Sequence, residues 1–145
     1  MPFEWQPVKR RMQGMGHVIE AAATGRARCR GCGGKIAGLE LRFGERLPNP
    51  FADGETTRWF HLDCGAFKRP EPFLEALAGR LAPLDDRDRL EQEARRGLAH
   101  RRLPRIDGAE RAPSGRAACR SCREPVPKDA WRIRLVFYED GRFAP

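Results

Sequence analysis

The sequence predicts a small α+β fold: a metal-stapled antiparallel β-sheet module with short helices, followed by a helical linker and a partial second module. Three observations carry this expectation. Cysteine and histidine stand in closely spaced pairs, apolar residues alternate with period two after each cysteine pair, and one stretch of the chain repeats another at a constant offset of 90 residues.

The need for a staple follows from composition. The chain has 145 residues, 40% of them apolar and 33% charged, with only 8 Phe, 3 Trp and 1 Tyr against 15 Gly and 12 Pro. A module this short of apolar mass usually leans on a metal or on disulfides. The cysteine count is five, an odd number, and four of these form two Cys-x-x-Cys pairs. No secretory h-region opens the chain and no apolar run approaches membrane-spanning length. An intracellular chain with reduced thiols is the expectation, and reduced thiols favour metal over pairing.

Four segments are expected: an N-terminal extension (1–16), a first module (17–69), a helical linker (70–106) and a partial second module (107–145). In the first module Leu39, Leu41 and Phe43 alternate with Glu40, Arg42 and Gly44. In the second, Trp131, Ile133, Leu135 and Phe137 alternate with Arg132, Arg134 and Val136. Such alternation predicts half-buried strands, apolar side inward. Residues 45–57, with Pro48, Pro50 and Asp53-Gly54, predict a loop or hairpin tip. Phe73, Leu74, Leu77 and Leu81 share one helical face up to Pro83. Leu90, Ala94 and Leu98 share another, with Asp85 or Asp86 as N-cap and Pro104 as stop. These helices are expected to pack on the first module, although residues 85–103 also read as an exposed charged linker.

The repeat aligns Thr24-Gly25-Arg26-Ala27-Arg28-Cys29-Arg30-Gly31-Cys32 with Ser114-Gly115-Arg116-Ala117-Ala118-Cys119-Arg120-Ser121-Cys122. Cys29 and Cys32 are followed, after a folded segment, by His61 and Cys64, again two residues apart. Two short chelating turns joined by a folded segment are how structural zinc sites are built, so these four are the expected ligands of one Zn²⁺ in a zinc-stapled module. Three thiolates and one Zn²⁺ leave a net charge of −1, which Arg26, Arg28, Arg30 and Lys35 would offset. A redox pair, a disulfide, and an ordinary half-buried His61 beside Trp59 and Phe60 are the competing readings. A closed four-ligand set leaves no open position for catalytic zinc. In the second copy the same offset puts His-x-x-Cys past Pro145. Cys119 and Cys122 are thus an incomplete second metal site, and the chain reads as a fragment or its second copy as a degenerate half-module.

The net charge is +8 and the isoelectric point about 9.9. Residues 21–44 hold Arg26, Arg28, Arg30, Lys35 and Arg42 against Glu40 alone. A basic patch of this density points to a polyanion, nucleic acid first. Guanidinium groups suit phosphate because the planar fork donates two hydrogen bonds at once.

Thr24-Gly25-Arg26-Ala27-x-Cys29-x-x-Cys32, Lys35-Ile36, Leu41-Arg42 and Trp59-Phe60-His61-x-x-Cys64 together resemble the PARP-type zinc finger, found in poly(ADP-ribose) polymerase and in a vertebrate DNA ligase. Residues 17–68 resemble it throughout and 107–145 in part. The resemblance implies a small α+β unit on a Cys3His zinc that binds DNA breaks or nicks by structure, not by sequence, in the nucleus, or in cytoplasm or nucleoid if the source is bacterial. It implies phosphate contacts at Arg26 and Arg42, matched by Arg116 and Arg132 in the second copy, and base stacking near Phe51. One residue is inserted between Phe51 and His61, and Thr56 stands where an apolar residue is usual, leaving Phe51 as the main stacking residue. No enzymatic activity, membrane or small-molecule substrate is expected, since neither His17 nor His100 has a nucleophile at motif spacing. RNA is a variant of the same reading. A different one is a protein-interaction adaptor docking through helices in 70–103.

Overall fold

The structure, a computed structural model, describes residues 16–145. The N-terminal extension therefore lies outside the described residues apart from Gly16. Two three-stranded antiparallel sheets flank three helices. The first sheet has the order β1 (Val18–Ala21), β2 (Leu41–Pro48), β3 (Glu55–His61). The helices α1 (Leu62–Lys68), α2 (Pro70–Ala78) and α3 (Arg87–Ala99) follow. The second sheet has the order β4 (Arg105–Arg111), β5 (Trp131–Glu139), β6 (Arg142–Ala144).

The first sheet and the helices share one core. Phe43 is fully buried, opposite Phe60 in the β2–β3 register and edge-on to Phe73 of α2 at 5.4 Å. Cys29, Ile36, Leu77, Leu90 and Ala94 belong to the same cluster. The apolar faces of α2 and α3 are thus consumed by this core and are not a free docking surface. α2 starts with Pro70, whose fixed φ and missing N–H suit a first helical turn. It stops at Gly79, so Leu81, expected on the helical face, lies beyond the helix and is 98% exposed. Asp86 occupies the N-cap of α3 as expected, but in a left-handed conformation and without a side-chain capping bond.

Two strand expectations need correction. β2 is buried on both faces from Arg42 to Glu45, not only at Phe43. The reason is that its polar side also finds a lid. There the Trp59 ring lies under the Arg42 guanidinium at 3.5 Å, while Glu45, on the Phe43 side, is covered by its pair with Arg69 at 3.3 Å. Gly44 makes room for that ring, since a Cβ there would meet Trp59 Cζ3 at 2.7 Å. In the second module the correction runs the other way. Trp131 is 65% and Ile133 62% exposed, because among the described residues no helix covers that face of β5. Only its distal end is enclosed: Val136 is buried, and Phe143 of β6 packs beside Phe67 of α1. The expected tip is also shorter than 45–57, since β2 and β3 run on and leave 49–54 as the turn.

The repeat is reproduced in the backbone. Glu20↔Arg42 and Ala21↔Leu41 in β1–β2 become Glu110↔Arg132 and Arg111↔Trp131 in β4–β5. The amide of Ala22 donates to Glu40 O and that of Ile36 to Ala27 O; Ala112 to Ala130 O and Val126 to Ala117 O are the counterparts. Gly33 has φ 77° and Arg123, at its place, φ 67°.

Candidate metal centre and basic surface

The cysteine pair sits on a tight turn. Cys29 N–H donates to Gly34 O, and Gly33 N–H to Cys29 O, each at 2.8 Å, so Cys29 and Cys32 present their sulfurs to the same side. His61 ends β3 and Cys64 lies in the first turn of α1, so the strand–helix junction supplies the second pair. The sheet register, with His61 opposite Arg42, brings that junction to the turn. Gly31 lets the two meet: a Cβ on it would stand 2.8 Å from Cys64 Cβ.

All four expected ligand atoms come together, within 4.8 Å of one another. His61 Nδ1 stands 3.3 Å from Cys32 Sγ and 3.9 Å from Cys64 Sγ. A tetrahedral ion at zinc's bond lengths needs donors roughly 3.5–3.8 Å apart, which these separations bracket. His61 Nε2 lies 3.0 Å from Lys35 O, an obligate acceptor, so Nε2 carries the proton and Nδ1 is the ligating nitrogen. Cys29 Sγ accepts from the amides of Gly31 and His61, and Cys32 Sγ from that of Gly34, all at 3.3 Å. Soft sulfur, one imidazole and amide donors aimed at the sulfurs suit Zn²⁺.

Electrostatics agree with that use. The Cys29 thiol is held at about 4: its hydrogen bond with Cys64 and the amides of Cys32, His61 and Gly31 favour the thiolate and overcome burial. Cys64 is pushed up, because it holds the proton facing the Cys29 thiolate in a buried site. A bound metal ion would take the place of that shared proton. At His61, burial disfavours the charged ring, but the Lys35 carbonyl and the Cys29 thiolate outweigh it and raise the pKa.

Around this centre the expected DNA contacts divide into two groups. Arg26, Arg28, Arg30 and Lys35 are exposed, and none forms an ion pair among the described residues. Arg42 is 9% exposed, stacked on Trp59 and bonded to Glu20 at 3.4 Å. Its unbonded Nε lies in that sandwich. Phe51 is 96% exposed at the hairpin tip, where its amide donates to Asn49 Oδ1 at 3.0 Å and orders the turn. In the second module Arg116 is exposed, and Arg132 is half-buried against Glu110 at 2.8 Å. Three participants escaped sequence reasoning: Lys35 through its carbonyl, Trp59 beneath Arg42, and Lys68, whose Nζ donates to Gly31 O and Asp107.

Cys119 and Cys122 repeat the turn, with Cys119 N–H to Glu124 O and Arg123 N–H to Cys119 O at 2.8 Å. The Cys119 thiol is held below its ordinary value by the amides of Cys122 and Ser121. Among the described residues no third donor joins them.

A Cys3His cluster where a strand meets a helix, beside a three-stranded sheet, defines the class: a zinc finger stapling an α+β module. The chain belongs to the zinc-finger family of poly(ADP-ribose) polymerases and DNA ligases, described as "Poly(ADP-ribose) polymerase and DNA-Ligase Zn-finger region", which matches residues 20–100. It is similar to a poly(ADP-ribose) polymerase of Sarcophaga peregrina, 28% identical over 138 residues covering 83% of this chain and 14% of that protein. A Drosophila melanogaster poly(ADP-ribose) polymerase is 30% identical over 85% of this chain and 14% of its own length. The Gallus gallus poly(ADP-ribose) polymerase 1 is 26% identical over 79% and 13%. The chain thus spans about a seventh of the first two relatives, in their zinc-finger region and not their catalytic domain. No helix among the described residues is long and apolar enough to cross a membrane.

Proposed function

We propose that the first module binds DNA without sequence preference and recognises strand breaks or distorted duplex. The observation that carries this is the set Arg26, Arg28, Arg30 and Lys35 around the zinc turn, exposed and without an ion pair among the described residues, whereas Arg42, Arg105, Arg132 and Arg134 of the sheets are ion-paired. Paired arginines hold the fold; exposed, unpaired ones keep their charge for a phosphate backbone. Phe51 adds the selectivity. An exposed aromatic on an ordered tip stacks on a bare base face for roughly 1–3 kcal/mol, and only a break or distortion bares one. Arg42 acts through its partners, fixing β2 beneath the patch, and Arg116 extends the basic surface on the second module. Zinc has a structural role here: it fixes the turn that carries the cations.

Fluorescence anisotropy with nicked and intact duplexes across a salt series tests the reading. Tighter binding to the nicked duplex is expected. Four phosphate contacts give a log–log salt slope of about −3.6. Equal, salt-insensitive binding to both duplexes overturns it.

A further inference from the structure

We infer that Leu39 is a second apolar contact of the DNA interface, a side chain that seats in the minor groove beside the phosphates held by Arg26. This role rests on the DNA-binding reading above and falls to a residue that is neither a metal ligand nor part of the basic patch. The backbone points to it first. Leu39 heads the apolar alternation that Leu41 and Phe43 continue, yet it lies outside β2, in the turn before it, at φ 69°. The other non-glycine residues with positive φ among the described residues are Asp86, Arg123, Asp129 and Asp140, so Leu39 alone is apolar. A left-handed turn favours glycine, asparagine or aspartate, which tolerate that backbone. The second copy follows the rule. Asp129 stands at the place of Leu39 with φ 66°, and its amide donates to Ala112 O as that of Leu39 donates to Ala22 O. The turn therefore does not require a leucine. Nor does the core use it, for Leu39 is 82% exposed and outside the buried cluster.

The surroundings define the partner. Gly38 lies against Gly25, where a Cβ would stand 3.4 Å from Gly38 N and 3.6 Å from Lys35 Cε. Leu39 thus shares one end of the module with Arg26 and Lys35, both exposed and without an ion pair among the described residues. Glu40, next along the chain, is turned back onto the Ala37 amide at 2.9 Å. An apolar side chain beside free cations matches a ligand that is anionic and apolar at close range. Duplex DNA is such a ligand, with phosphates along the groove edges and deoxyribose and base edges between them. The minor groove, about 6 Å wide, accepts a single side chain on a tight turn, as leucine wedges in other DNA-binding proteins do, whereas the major groove accepts a whole helix. Leu39 does not duplicate Phe51. The two flank opposite ends of β2, with roughly 25 Å of strand between them, so they cannot meet the same bared base.

The test is fluorescence anisotropy of the zinc-loaded full chain on an A·T-rich nicked duplex, with Leu39→Asn beside Arg26→Ala. Asparagine accepts the left-handed backbone, carries no charge and removes the apolar contact. The Leu39→Asn protein should melt at or above the wild-type temperature and bind roughly tenfold more weakly, with the salt slope unchanged. With netropsin filling the minor groove, wild type and Leu39→Asn should bind alike. Undiminished binding by Leu39→Asn, where Arg26→Ala is weakened, overturns the role of Leu39 and leaves the DNA-binding reading standing. So does a difference that survives netropsin, or a lowered melting temperature. Salt-insensitive binding by the wild type overturns both.

Discussion

The His61 ring is pinned by its Nε2 hydrogen bond to the carbonyl oxygen of Lys35, 3.0 Å away, so one residue of the basic patch also orients a metal ligand. In zinc-loaded protein, long-range ¹H–¹⁵N correlation should find Nε2 protonated and Nδ1 metal-bound. A ring bound through Nε2 contradicts the geometry. His61→Ala should lower zinc content by one ion per chain and unfold the first module, as chelation should, because binding free energy is folding free energy in such sites.

Arg26 and Arg42 are matched by sequence to the same role but differ in surroundings, so their alanine variants should separate. Arg26→Ala is expected to keep the melting temperature, weaken binding to every duplex and reduce the salt slope by about 0.9. Arg42→Ala removes the Trp59 stack and the Glu20 bond and should cost about 1–3 kcal/mol in denaturant unfolding. If the two variants behave alike, the division into paired and unpaired arginines is wrong.

Glu45 and Arg69 form a buried pair, with side chains 9% and 12% exposed. Burial alone pushes the Arg69 pKa down, and the Glu45 carboxylate works against that. Glu45→Ala strands the guanidinium and should cost about 3 kcal/mol or more by chemical denaturation, whereas a double change to apolar residues should recover much of it.

Tyr138 is the one tyrosine of the chain, so phenolate absorbance reads it alone. Burial, then its hydrogen bond to Glu71, raises its pKa from 10.0 to about 12. The folded state favours the protonated phenol. That contribution to stability is fully present below pH 10 and is lost as pH rises through about 12. Tyr138→Phe should flatten this alkaline loss and cost about 1 kcal/mol at neutral pH, by thermal melts.

The metal ligands and the repeat were legible in the sequence because both are matters of spacing. Cys29, Cys32, His61 and Cys64 converge, and the offset persists in individual hydrogen bonds. Burial was less legible. Alternation divides a strand into two faces but does not say what covers either one. Arg42 was expected in water and is stacked on Trp59; Trp131 was expected in a core and, among the described residues, has no helix above it. Leu81 kept a helical period past Gly79, where the helix had already ended. β1 and β4 left little trace, since one is four residues long and the other mixes four charges with a bulge at Ile106/Gly108.

Lys68 stands between the halves of the molecule, one amine bonded both to the Gly31 carbonyl in the cysteine turn and to Asp107 on β4. Its position makes the second sheet a listener to the first metal. When the Cys29 turn loosens, the ammonium loses the acceptor that holds it upright, and the anchor for Asp107 slackens with it. Stripping one ion would then be felt some forty residues along the chain, at a sheet that ion never touches.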